Sequence, residues 1–147
     1  MQIITQEQRF GRAAMVGVSG GMVALLIVLT DRMFYGDWGF VRAAFMGAFI
    51  AGYLLARGFG GDGAWGWFRA GLTFAACTVL GAAIAVPLLG VDEWLMGTAV
   101  MEQVVSFAGM SVLGPVYVLG MLGEHYLVWA VWAAAFIAAQ GQVVWGR

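Results

Sequence analysis

Apolar residues fall along this chain in long blocks with almost no polar face, parted by short polar clusters. The blocks cover residues 13–30, 40–56, 68–89, 104–122 and 126–144. A surface helix of a soluble domain would show a polar stripe at a period of 3.6 residues. These blocks instead approach the ~20 apolar residues that cross a bilayer core at 1.5 Å rise per residue. The pattern predicts an all-α fold: a polytopic transmembrane helical bundle of four to five spans, one integral membrane domain over residues 1–147.

The last two blocks admit two readings. In one, 104–122 and 126–144 form a tight hairpin and the chain has five spans. In the other, part of Met96–Pro115 is a broken or interfacial helix before a long final span, with Gly114-Pro115 as the natural break.

The polar clusters set the ends of these blocks. Residues 1–12 are polar and carry Glu7, Arg9 and Arg12. Basic residues before an apolar stretch resemble a signal peptide, but no A-x-A-like site precedes Asp31-Arg32, so the block reads as a retained span. Phe34, Tyr35 and Trp38 sit where an interfacial aromatic belt would place them. Arg42 opens the second block and is long enough to snorkel to headgroups. The glycine-dense stretch from Arg57 to Trp67 reads as a mobile loop anchored by Trp65 and Trp67. Pro87 falls near the end of the third block, and Asp92, Glu93 and Trp94 read as a polar, aromatic turn.

Arginine placement gives orientation. A cytoplasmic N-terminus puts Arg9, Arg12, Arg57 and Arg69 inside, against Arg32 and Arg42 outside, and four spans also bring Arg147 inside. The N-terminus is therefore expected in the cytoplasm.

Composition sharpens the class. The chain is 63% hydrophobic and 10% charged, where soluble domains carry about 25% charged residues. A net charge of −1 with no basic stripe excludes nucleic-acid binding as a main role. All seven basic residues are arginine, a usage suggesting a high-GC bacterial genome and hence a multi-pass protein of the bacterial inner membrane. The single cysteine, Cys77, lies in an apolar run and reads as a small buried hydrophobe.

Small residues one turn apart suggest how the helices pack. Gly17-x-x-x-Gly21 lies in the first block, Gly47-x-x-x-Ala51 and Ala48-x-x-x-Gly52 in the second, and Gly81-x-x-x-Ala85 in the third. Such pairs let helix backbones approach closely where lipid removes the hydrophobic drive.

Candidate chemistry is sparse. Glu102 and Gln103 sit in apolar sequence; with Gln140 they form a possible intramembrane polar site. His125, the only histidine, could ligate haem only in a dimer. Asp31, Asp37, Asp92 and Glu93 read as solvated loop residues rather than a metal site. Asp31 and Gly60-Gly61-Asp62 invite comparison with the aspartyl peptidases that process prepilins. No basic residue follows Asp62, however, and the two aspartates would face opposite sides. No Ser/His/Asp set, P-loop or dinucleotide fingerprint occurs. No cofactor, metal or catalytic residue is expected.

The stretch 47–73, GAFIAGYLLARGFGGDGAWGWFRAGLT, resembles part of the small TrgA-type membrane proteins associated with tellurite resistance in alphaproteobacteria. Arg57, Gly58, Gly60, Gly71, Leu72 and Thr73 carry the likeness. The chain departs from that family in having fewer basic residues in the loop and at its C-terminus. The resemblance implies a link to metalloid resistance and brings no active site.

Together these features lead to the expectation of a small non-enzymatic membrane protein. Its partners would be the lipid bilayer and other membrane helices, in a homo-oligomer or a larger complex. The alternative is a small ion or solute transporter with Glu102 in the path.

Overall fold

The computed structural model describes residues 5–30, 36–61, 63–116, 120 and 126–145. Every regular element among them is helical: α1 (Gln6–Thr30), α2 (Trp38–Leu54), α3 (Gly63–Leu95), α4 (Met101–Gly109) and α5 (Tyr126–Trp145). Short 3₁₀ turns at Ala56–Gly58 and Met110–Val112 follow α2 and α4. Of the five helices, α1 and α3 are long and apolar enough to cross a membrane, while α2 and Leu127–Ala138 within α5 are shorter apolar stretches.

Helix α1 starts seven residues before its apolar block, so the polar residues from Gln6 to Arg12 are helical. The cause is a reciprocal cap. The Gln8 N–H donates to Thr5 Oγ1 and the Thr5 N–H donates to Gln8 Oε1, each at 3.3 Å. This T-x-x-Q box satisfies two amides that a helix start leaves unpaired. Asp37 does the same for α2, accepting from the Phe40 N–H at 3.0 Å.

Helix α3 also exceeds its block at both ends. Its 33 residues begin at Gly63, so Trp65, Gly66 and Trp67 are helical rather than part of a mobile loop. Gly66 permits this because its Cα abuts the Gly61 backbone, where any Cβ would overlap the Gly61 carbonyl. The helix continues past Pro87, and Asp92, Glu93 and Trp94 form its last turn instead of a separate polar turn. The break in the following segment falls at Met110–Val112, just before Gly114-Pro115, and residues 113–116 are helical again.

Helix α2 is the spine of the bundle, with α1 and α3 packed on two of its sides and scarcely touching each other. A Cβ on Gly17 would stand 3.0 Å from Phe49 Cβ, and one on Gly52 would stand 2.8 Å from Val16 Cβ. Gly21 lies against the Phe45 ring. On the other side, a Cβ on Gly47 would collide with the Gly81 carbonyl and stand 3.0 Å from Ala85 Cβ. Gly81 faces the Ala48 backbone, and Ala51 is fully buried. The small residues thus act at helix crossings inside the chain.

Helix α5 closes the bundle against α1 and α3, while the segment that starts with α4 runs back along the second half of α3. The compact core is Val16, Ala51, Phe59, Ala70, Phe74 and Cys77, flanked by Trp132 and Phe136 of α5. Phe74 sits at its centre, edge-on to Trp132 at 4.9 Å and to Phe59 at 6.4 Å between ring centroids. The Trp132 indole N–H donates to Thr78 Oγ1 at 2.9 Å, so the half-buried ring has its one donor satisfied.

Candidate functional site

Polar side chains gather at the two ends of this bundle, and the space between them is apolar. At the near end, where α1 and α3 begin, Arg12 is 5% exposed. Its Nη1 donates to the carbonyls of Ala56 at 2.7 Å and Phe59 at 3.0 Å. Gln140 on α5 approaches the same turn and is 1% exposed. It accepts from the Gly60 N–H at 3.2 Å through Oε1 and donates through Nε2 to the Gly61 carbonyl at 3.1 Å. One side-chain amide therefore pairs with two backbone groups, as a neighbouring strand would. Gly60 has φ +94°, a left-handed conformation that glycine adopts without steric cost. Arg69 adds a third hold, donating from Nε to the Gly58 carbonyl at 3.3 Å. Gly58 itself is pressed against Thr73, leaving no room for a Cβ.

At the far end, Arg42 meets Asp92 in a two-point pair, with Nε to Oδ1 at 3.1 Å and Nη2 to Oδ2 at 2.7 Å. The Arg42 guanidinium ties the start of α2 to the end of α3. Gly39 makes room for this, since a Cβ there would lie 2.9 Å from Asp92 Oδ2 and 3.2 Å from Asp37 Oδ1. Among the described residues the near end carries Arg9, Arg12, Arg57 and Arg69 with Glu7. The far end carries Asp37, Asp92, Glu93 and Glu102 with Arg42. The bundle is cationic at one end and acidic at the other.

The three residues expected to form a polar site do not share one. Glu102 and Gln103 are exposed in the first turn of α4. The Gln103 Oε1 accepts from the Val100 N–H at 2.9 Å, capping its own helix. Gln140 belongs to the opposite end. His125, Asp31 and Asp62 lie outside the described residues. No group of three or more His, Cys, Asp or Glu placed to hold a metal occurs among the described residues.

Sequence reasoning missed Arg12 as a buried residue. The signal was present: Thr5-x-x-Gln8 starts the helix early enough to carry Arg12 nearly two turns into it.

Between the ends lies a slot of about 420 Å³. Its floor is the alanine face of α2, Ala43, Ala44 and Ala48. One wall is α1, through Ser19, Val23 and Ile27; the other is α3, through Thr78, Ala82 and Val86. Phe107 and Met110, from α4 and the turn after it, and Trp132 of α5 cover parts of it, and the rest is open. The slot exists because α1 and α3 both pack on α2 without meeting, and because the α2 residues between them are alanines. Its polar side chains are already engaged. Ser19 Oγ donates to the Val16 carbonyl at 2.8 Å, and Cys77 Sγ points at the Ala51 carbonyl at 3.8 Å. Thr78 Oγ1 donates to the Phe74 carbonyl at 3.0 Å while accepting from Trp132. Such a space offers shape and apolar contact, with no group to move a proton or hold a charge.

No protein-family model, curated protein or solved structure matches this chain.

Proposed function

We propose that this chain is a multi-pass, non-enzymatic protein of a bacterial inner membrane, with a cytoplasmic N-terminus. It works by associating with other membrane helices, as a homo-oligomer or as an accessory subunit of a larger complex. The observation that carries the membrane part is the separation of its polar ends. Residues 70–91 of α3, between Arg69 and Asp92, contain no Asp, Glu, Arg, Lys or His and extend about 33 Å, against a hydrocarbon core of ~30 Å. Trp65 and Trp94 are both exposed and stand about 43 Å apart along the same helix, the thickness of a bilayer with its headgroup layers. The cationic near end fits the cytoplasmic side.

Helix α4 supports the association part. It buries none of its nine residues within the chain. Met101 and Val105 on α4, with Val100 before it and Met110, Val112 and Val116 after it, are all exposed. Gly17, Gly21, Gly47, Gly52 and Gly81 are already used at helix crossings inside the chain, so the contact falls to these larger side chains. Flux through Glu102 has less support, because Glu102 and Gln140 stand at opposite ends with only apolar lining between. The likeness to tellurite-associated proteins enters this proposal as its physiological setting; Gly58 and Thr73, which carry part of it, serve here to seat a turn.

The test is gentle extraction from native membranes, followed by native gel separation and cysteine crosslinking from Val105→Cys. Migration in a larger species, with crosslinks that depend on Val105→Cys, is expected. Migration as a monomer without crosslinks would refute the association.

A further inference from the structure

Of the four arginines at the near end, two are spent on the fold and two are not. Arg12 and Arg69 donate to carbonyls of the turn that follows α2. The Arg9 and Arg57 side chains donate to no oxygen among the described residues. Arg9 is the more telling of the two. Its guanidinium lies over the Tyr53 ring, with Cζ 5.4 Å from the centroid. Its Nε is the single buried side-chain nitrogen or oxygen without a partner among the described residues. An aromatic face holds a guanidinium in place and strips water from it without supplying an oxygen. A buried donor left unpaired is costly, and the half-buried side chain leaves the rest of its fork open to an acceptor from outside.

Arg57 stands at the same corner of the bundle. It follows Tyr53 by about one turn, and Arg12 draws its neighbour Ala56 against α1. No carboxylate among the described residues neutralises this corner. Glu7 is the only one at the near end, and residues two apart on a helix do not face each other. The ion pair of this structure, Arg42 with Asp92, is at the far end. Arg9 also lies one turn, about 4.5 Å, outside Arg12, and α1 carries no further charge from Ala13 to Thr30. In the membrane reading above, that is the level of the headgroups on the cytoplasmic side.

We propose that Arg9 and Arg57 form a binding site for a phosphate group, carried by the headgroup of an anionic phospholipid. The lipid source rests on the membrane reading; the phosphate chemistry rests on the two arginines. A guanidinium offers phosphate two parallel N–H donors, and basic clusters at the cytoplasmic ends of helices draw anionic headgroups. Phosphate is the anion most abundant at that level.

The test equilibrates the full-length protein in detergent with micelles holding equal amounts of phosphatidylglycerol and phosphatidylcholine. Mass spectrometry then counts the lipid that each chain retains. Retention of phosphatidylglycerol about tenfold over phosphatidylcholine is expected. It should fall to parity in Arg9→Gln and in Arg57→Gln and persist in Arg42→Gln. Arg57 is exposed, so its variant reports on the site even where Arg9→Gln disturbs α1. A parallel sample carries excess inorganic phosphate at constant ionic strength. Retention that withstands it supports the lipid, whereas displacement would overturn the lipid source in favour of a soluble phosphate. Equal retention of the two lipids, or a preference that survives both variants, would overturn the site. The membrane reading fails separately, if alkaline carbonate without detergent strips the chain from native membranes.

Discussion

The two ends of this bundle are held by different physics. At the near end, Arg12 and Gln140 are almost wholly buried and hold a backbone turn through four hydrogen bonds. At the far end, Arg42 and Asp92 hold each other on the surface, with the arginine side chain 51% exposed. A buried donor whose partner is removed leaves groups that water cannot reach, at about 1–3 kcal/mol each. An exposed ion pair is worth about 0–1 kcal/mol, because solvent screens it and ordering two long side chains offsets the gain. The aromatic core also lies in the near half, while α4 buries nothing. The near end should therefore act as the rigid body and the far half as the compliant one.

Arg12→Ala should have the largest effect. It strands the Ala56 and Phe59 carbonyls, and a loss of about 3 kcal/mol is expected from two such groups. Thermal unfolding in detergent measures it. Trypsin gives a local readout, since cleavage after exposed Arg57 should accelerate once the turn is released. An unchanged cleavage rate would mean that Arg12 does not hold the turn. Gln140→Leu comes next, at about 2 kcal/mol, because it orphans the Gly60 N–H and the Gly61 carbonyl in one change. The same trypsin assay should respond, in the same direction but less. Arg42→Ala should have the smallest effect, and it should shrink further as salt is raised. Salt should leave the two near-end effects nearly untouched. A salt-sensitive Arg12→Ala, or an Arg42→Ala costlier than Gln140→Leu, would dissolve the distinction between the ends.

The helical class and the rough positions of the first three helices were legible because long apolar runs are a strong, one-dimensional signal. Their ends were not. Arg9 and Arg12 look like a polar lead-in until Thr5 and Gln8 are seen to cap each other. Gly63 to Trp67 look like loop because glycine propensity argues against helix, and a close backbone approach at Gly66 reverses that. The pairs of small residues one turn apart could be picked out in sequence, but which helix each would meet could not. The polar site proposed around Glu102 grouped residues by type and apolar surroundings. The structure sorts them by end, leaving Glu102 and Gln103 on a surface turn and burying Gln140 against a loop 80 positions away. The slot left no sequence signal, since it arises from two helices that fail to touch.

Gln140 also sets a timetable. Synthesis runs from the N-terminus, and domains begin to fold as they emerge. Arg12 is made first, and its acceptors at Ala56 and Phe59 follow 44 and 47 residues later. The Gly60 N–H then waits through 80 further residues for the amide that satisfies it. During that interval the turn is only half fastened, and a chain cut short before residue 140 leaves the Gly60 N–H and the Gly61 carbonyl without the amide that pairs with them.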